Sequence, residues 1–416
     1  MKKNQSLGKN IFLLFLVKVS GFLLPLVTLP YLARVLGAEE YGRVAVAQSM
    51  ALLLSVFIEY GFSLSATREA ARHRNEPERM ASLTSRVHGA KVLLSIVALV
   101  AAMLWARSIG GESTTTFASG AWIYALAIGI SPIWYYQAIE KVRLFSMLDI
   151  AGKAVSVALI ILLVGRDDAA WVLFFQSVGP AATALISIFW LYRSVEFRVP
   201  RLSGILEGLR EGASMFIFRG AISLYTLANV FVLGIFVGPI QVAYFAGAEK
   251  LVRGAASMIG PVSQAVYPRV ARLVYEDRTA AIRLVQKTMA GMLLGTTTAS
   301  VIVYIFSSEI TTLVFGPGYG PVAEMMRGMI WIVPLIATGN VLGIQWMLAL
   351  KMDREFNVAV IVAGLVNLAV AALLSSEWGA KGMVVACVLS EAMVVILILQ
   401  ALLRKKALPL TIATST

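Results

Sequence analysis

Residues 356–403 read FNVAVIVAGLVNLAVAALLSSEWGAKGMVVACVLSEAMVVILILQALL, and Arg404-Lys405-Lys406 follow at once. Two apolar runs, 356–375 and 382–403, flank the polar gap Ser376-Glu377-Trp378-Gly379-Ala380-Lys381. At 1.5 Å per residue each run reaches about 30 Å, the thickness of a bilayer's hydrocarbon core. Backbone groups in lipid find no water, so such a run is either a helix or a strand of a closed barrel. No ten-residue alternation of apolar and polar positions appears here, which leaves a pair of helices. Working outward, similar stretches lie near 11–33, 41–62, 87–106, 117–139, 147–164, 169–192, 213–237, 242–266, 288–307 and 322–350. The expectation is an all-α integral membrane protein with about twelve spans.

Composition agrees. Of 416 residues 59% are hydrophobic and 14% charged, against about 25% charged in a soluble domain, which excludes a water-soluble globule. The single cysteine, Cys387, lies in an apolar run, so neither a disulfide framework nor a Cys-rich metal centre can be built. His73 and His88 sit in a charged stretch and point to no histidine-based metal or catalytic centre, and no cofactor is expected. A net charge of +13 in a soluble protein would point to nucleic acid. In this composition the expected partners are anionic membrane lipids, with no nucleic acid. Lys2, Lys3 and Lys9 before an apolar run resemble a signal peptide. The run continues through Tyr31 with no small-residue cleavage site, so a retained first span is expected.

The cations alternate between the connections. With the amino terminus inside, twenty-five Lys and Arg fall in cytoplasmic segments and five, Arg34, Arg43, Arg107, Arg166 and Lys381, on the opposite side. That asymmetry predicts both termini in the cytoplasm. A repeat also emerges. At an offset of 201, Leu36-Gly37, Tyr41-Gly42, Ala45 and Ala47 overlay Val237-Gly238, Val242-Ala243, Ala246 and Ala248, while Lys18 falls on Arg219 and Arg68 on Arg269. Two six-helix lobes, 1–201 and 202–416, are expected. Because six is even, they would share one orientation about a pseudo-two-fold along the membrane normal.

Six cations remain inside spans: Lys18, Lys153, Arg219, Lys250, Arg253 and Arg327. A cation at mid-helix costs roughly 2.5–3.5 kcal/mol on insertion scales, so such residues face protein or a wet cavity unless they snorkel. Snorkelling suits Lys153 and competes for Lys18. Lys250 and Arg253 share a helix face, and Glu249, four residues before Arg253, offers it an intrahelical partner; Glu324 stands likewise three before Arg327. Glu249 and Glu391 are the clearest mid-span acids. They can serve ion coupling or pair with cations.

Enzyme signals are poor, and no catalytic residue is assigned. Arg166-Asp167-Asp168 is a bare acidic turn that reads best as a solvated loop, and no phosphate-cradling loop is present. Pro25, Pro132, Pro180, Pro261 and Pro334 lie within spans and favour kinks. Trp134-Tyr135-Tyr136 reads by default as an interfacial anchor, with sugar stacking as the other reading.

The stretch from Leu24-Pro25 through Thr28-Leu29-Pro30-Tyr31-Leu32-Ala33-Arg34-Val35-Leu36-Gly37 to Tyr41-Gly42 resembles the opening of the polysaccharide (O-antigen, Wzx-type) flippases. These belong to the multidrug/oligosaccharidyl-lipid/polysaccharide exporter superfamily. Matching pieces follow in order: Glu59-Tyr60-Gly61-Phe62, Ala66-Thr67-Arg68, Pro132-Ile133-Trp134-Tyr135-Tyr136-Gln137, Ala248-Glu249-Lys250, Tyr267-Pro268-Arg269 and Phe315-Gly316-Pro317-Gly318-Tyr319. The resemblance implies a bacterial inner-membrane protein that moves an undecaprenyl-pyrophosphate-linked oligosaccharide outward by alternating access, with polysaccharide polymerase machinery as a further partner. It also implies a cationic central cavity, onto which Lys18, Arg219, Lys250 and Arg253 fall as substrate-binding residues. Two other readings stay open: a secondary multidrug or ion exporter, and a membrane glycosyltransferase or polymerase acting on lipid-linked sugars. The drug-exporting branch calls for a carboxylate in the core of the amino-terminal lobe, whereas the clear mid-span acids here lie in the other.

Overall fold

The computed structural model describes the backbone of residues 2–409 and the side chains of 27–409 apart from Glu112, Phe218, Arg219, Ala221, Ile222 and Tyr225. Among the described residues all regular structure is helical. The chain divides into two compact units, Met1–Phe231 and Val232–Thr416.

The first unit contains α1 (Lys2–Glu59), α2 (Phe62–Arg72), α3 (Pro77–Ile109), α4 (Glu112–Gly129), α5 (Ile133–Ala138), α6 (Val142–Leu163), α7 (Val172–Ser194) and α8 (Leu202–Leu227). Gly37, at φ 76° and ψ 174°, breaks α1 into two helices; it matches the gap between the expected spans at 11–33 and 41–62. α6 and α7 cross so closely that a Cβ on Gly179 would stand 1.9 Å from the Gly152 carbonyl, the small-residue contact typical of helices in lipid. Pro180 lacks the N–H that would bind the Gln176 carbonyl one turn earlier. The Ser156 hydroxyl from α6 donates to that carbonyl at 3.0 Å and accepts from Gly179 N at 2.9 Å. A proline defect in one helix is thus healed by its neighbour. α8, which the repeat arithmetic assigns to the second lobe, packs here within the first unit.

The second unit contains α9 (Asn229–Phe236), which straddles the division, then α10 (Pro239–Ser257), α11 (Ile259–Glu276), α12 (Arg278–Ile305), α13 (Ser307–Phe315), α14 (Gly320–Met329), α15 (Ile332–Gly339) and α16 (Asp353–Arg404), with a π turn at Asn340–Met347. α16 runs 52 residues, about 78 Å if straight and far beyond a bilayer. It breaks at Gly379, φ 58°, inside the polar gap between its two apolar runs. Gln241 Oε1 accepts from Ala380 N at 3.2 Å and so begins capping the second half.

Among the described residues eight helices are long and apolar enough to cross a membrane. Two of the eight are broken, at Gly37 and Gly379. The remaining expected spans, 213–237 and 242–266, are each shared between two helices, α8 with α9 and α10 with α11. Both carry mid-span charge, the first Arg219 and the second Glu249, Lys250 and Arg253. Helical structure therefore covers all twelve apolar stretches.

Candidate functional site

In the second unit α10 presents Glu249, Lys250 and Arg253. Its position is set by the Phe315-Gly316-Pro317-Gly318-Tyr319 turn after α13. Gly316 (φ 86°) and Gly318 (φ 97°) adopt left-handed backbone, which glycine tolerates without strain. The Phe315 ring lies against Gly247, where a Cβ would meet it at 2.8 Å. Tyr319 stacks on Phe315 with centroids 5.2 Å apart, and the Tyr244 hydroxyl donates to the Gly318 carbonyl at 3.4 Å. With the helix held there, Arg253 Nε donates to Glu249 Oε1 at 2.9 Å. Glu391 of α16 lies within electrostatic range of the same guanidinium. The Lys18 and Arg219 side chains lie outside the described residues.

The first unit holds a cavity of about 690 Å³ among α1, α4, α6 and α7, lined by Glu59, Tyr124, Gln137, Asp149, Lys153 and Gln176. Lys153 has a local partner: its Nζ pairs with Asp149 Oδ2 at 2.6 Å, one turn earlier on the same helix. Glu59 follows from the Glu59-Tyr60-Gly61-Phe62 motif. Gly61 takes φ 75° to open α2, and the Glu59 carboxylate accepts from Gly61 N and Ser63 N, capping donors that a helix start leaves bare. Lys91, counted from sequence among cytoplasmic cations, is 1% exposed. Its ammonium donates to the Ser131 carbonyl at 2.8 Å, with Glu59 as an opposing charge. The amino-terminal bundle therefore carries half-buried carboxylates at the ends of its spans, while the mid-span acids Glu249 and Glu391 belong to the second unit. Asp149 lies near the amino-terminal end of its span, where position along the helix alone does not separate a cavity-facing acid from a surface one.

Other expectations change as well. Trp134, Tyr135 and Tyr136 are no interfacial belt: all three are buried in a core with Phe62, Phe145 and Leu191, and the Tyr136 hydroxyl donates to the Ser187 carbonyl at 2.7 Å. Pro132 ends α4 and starts the short α5, which turns these rings inward. His88, read as part of a charged stretch, is half-buried against Tyr192, with Nδ1 2.7 Å from the hydroxyl. Arg327 is not paired with Glu324. It binds the Ser307 and Ser308 hydroxyls at 2.5 and 2.8 Å, and Glu324 pairs with Lys381 at 3.4 Å. Arg166 and Asp167 are exposed, and Asp168 closes the turn by accepting from Gly165 N at 2.9 Å.

Bundles of apolar helices that hold ion pairs and a polar cavity in their cores, with glycine and proline breaks between spans, define a multi-pass membrane protein of the transporter class. Known folds agree. The chain is similar to the lipid II flippase MurJ in an inward closed conformation, with TM-score 0.73 and 11% identity over 94% of this chain and 87% of that one. It is also similar to an inward-facing multidrug resistance MATE family transporter of the MOP superfamily, with TM-score 0.67 and 14% identity over 93% and 96%. The chain belongs to the polysaccharide biosynthesis protein family, whose profile matches residues 7–274. Two relatives carry the name "Putative O-antigen transporter". One, from Escherichia coli (strain K12), is 28% identical over 97% of this chain and 98% of its own length. The other, from Shigella dysenteriae, is 29% identical over 94% and 99%. These relatives and structural neighbours are named as transporters and a flippase, not as enzymes.

Proposed function

We propose that the chain is a flippase for undecaprenyl-pyrophosphate-linked oligosaccharide repeat units, carrying them from the inner to the outer leaflet of a bacterial inner membrane by alternating access. One observation carries this reading: the end-to-end likeness to relatives named for O-antigen transport. The MurJ-like fold supports it.

A pyrophosphate crossing a bilayer needs cations in a space where water does not screen them. Lys18, Arg219, Lys250 and Arg253 are the proposed ligands, Arg offering bidentate contacts and Lys a point charge. Glu249 and Glu391 are the proposed coupling acids. The repeat supports two lobes, 1–201 and 202–416. The charge asymmetry supports cytoplasmic termini, and polysaccharide polymerase machinery is the expected downstream partner. Neutralising Arg219 and Lys250 together to Gln is expected to abolish surface polysaccharide at near-normal protein abundance, with lipid-linked units accumulating on the cytoplasmic leaflet. Normal export from that double variant would remove the cationic-site reading.

A second reading, a cation-coupled exporter, is favoured by the Glu59- and Asp149-lined cavity. Intact polysaccharide export together with lost drug resistance in Asp149→Asn would select it.

A further inference from the structure

The first unit also holds a basic pocket that is lined by none of the four proposed ligands. Arg68, Arg72, Arg86 and His73 line a cavity of about 320 Å³ between α2, α3 and α8, together with Glu69 and Glu211. Arg68 and Arg72 stand one helical turn apart on α2, so they share a face. Both are exposed, and neither forms an ion pair with any other described residue. His73 is already committed: its ring nitrogen lies 3.0 Å from Glu76, and that hydrogen bond holds the Glu76 carboxyl below its ordinary range.

Arg86 is the junction. Its Nη2 holds Glu69 of α2 at 2.8 Å, while Nη1 reaches Glu207 and Glu211 of α8 at 3.4 and 3.5 Å. One nitrogen is thus divided between two carboxylates beyond the usual 2.7–2.9 Å of a charge-assisted hydrogen bond. Its Nε is buried with no hydrogen-bond partner. The α8 backbone permits the approach because residue 204 is glycine: a Cβ there would stand 3.2 Å from Arg86 Cγ. The guanidinium therefore has donor capacity its three carboxylates do not use, beside two arginines they do not reach.

We propose that this pocket binds a phosphoryl group, with Arg68 and Arg72 supplying the charge and Arg86 turning Nη1 from the α8 carboxylates to the anion. The ligand chemistry is a phosphate or diphosphate monoanion or dianion, whether on a membrane lipid headgroup or on a transported lipid. Because Arg86 also ties α8 to α2 and α3, occupancy loosens that tie. The proposal does not depend on Lys18, Arg219, Lys250 or Arg253.

The test uses the full chain in phosphatidylcholine nanodiscs titrated with inorganic pyrophosphate by calorimetry. The Arg68→Gln, Arg72→Gln double variant is expected to bind about tenfold more weakly, each lost contact being charge-assisted. Both sites are exposed, so an unchanged melting curve is expected to show that the fold is intact. Glu211→Gln removes a competitor for Nη1 and is expected to bind severalfold more tightly. Absence of binding, equal affinity in the double variant, or weaker binding in Glu211→Gln would each overturn the assignment. Pyrophosphate held by the proposed α10 ligands is read separately, as the component that Lys250→Gln removes and the arginine double variant keeps. If all binding is lost in Lys250→Gln and kept in the arginine variant, the anion belongs to the α10 cations and the assignment is overturned. Native mass spectrometry from discs containing phosphatidylglycerol separates the sources. One retained lipid fewer in the arginine variant identifies a lipid headgroup; equal retention with pyrophosphate binding lost identifies a free or substrate phosphoryl group.

Discussion

Replacing Arg253 by Gln tests what the α10 charges do for stability. In the native protein the guanidinium lies 2.9 Å from Glu249 and within range of Glu391, both largely buried. Removing it takes the cation from Glu249 and from the electrostatic surroundings of Glu391. Losing one partner of a buried pair costs about 3–5 kcal/mol, and the partial exposure of Arg253, 26% of its side chain, places this case near the lower end. A loss of about 3 kcal/mol is roughly a hundredfold in the folded ratio. Glu249→Gln is expected to cost less, about 1 kcal/mol, because Arg253 keeps Glu391. The double variant should recover most of the loss, since it removes the buried carboxylate that Arg253 neutralised. The assay is membrane abundance together with thermal unfolding of the purified chain, run as a double-mutant cycle with a coupling energy expected above 1 kcal/mol. Equal, additive losses from the two single variants would refute the pairing argument. Lost export at full stability in Arg253→Gln would assign that arginine to the substrate alone.

Ser156→Ala strips the Gln176 carbonyl and Gly179 N of their partner and is expected to lower stability by about 1–3 kcal/mol; adding Pro180→Ala restores an N–H one turn after Gln176, and recovery of the melting temperature checks the account. For topology, a Cys387→Ser background with single cysteines at the exposed positions Gly111 or Ser203 is expected to react with an impermeant thiol reagent on spheroplasts at Gly111 only, and labelling at Ser203 would reverse the orientation.

The helices were legible because spanning a bilayer is a property of consecutive residues: length and apolarity are read directly along the chain. The breaks at Gly37 and Gly379 were visible for the same reason, each being a glycine in a short gap between apolar runs. The interior was far less legible. A sequence reports how far along a helix a charge lies, but which neighbour its face meets is decided by rotations of about 100° per residue and by the packing of helices distant in sequence. Lys91 and Lys153 show the consequence. Both sit near a span end that the charge asymmetry assigns to the cytoplasm, so position alone reads Lys91 as a loop cation and Lys153 as a snorkelling one. Packing adds what position lacks, turning Lys91 to the end of α4 at Ser131 and pairing Lys153 with Asp149. The Glu249–Arg253 pair could be anticipated because its geometry is closed within one helix. Asp149–Lys153 has the same four-residue spacing, and that spacing was the available signal. Arg327 marks the limit of such arguments: Glu324 sits at a pairing distance in sequence, yet two serine hydroxyls at the start of α13 hold the guanidinium. Local spacing predicts an ion pair only where no other helix presents a better-placed partner. In a bundle of this kind, charges whose partners lie on another helix are also the ones a movement between helices can reassign. Arg86, held by carboxylates on two other helices at unequal distances, is therefore a stronger candidate for a conformationally sensitive contact than Arg253, whose hydrogen-bonded partner moves with it on the same turn.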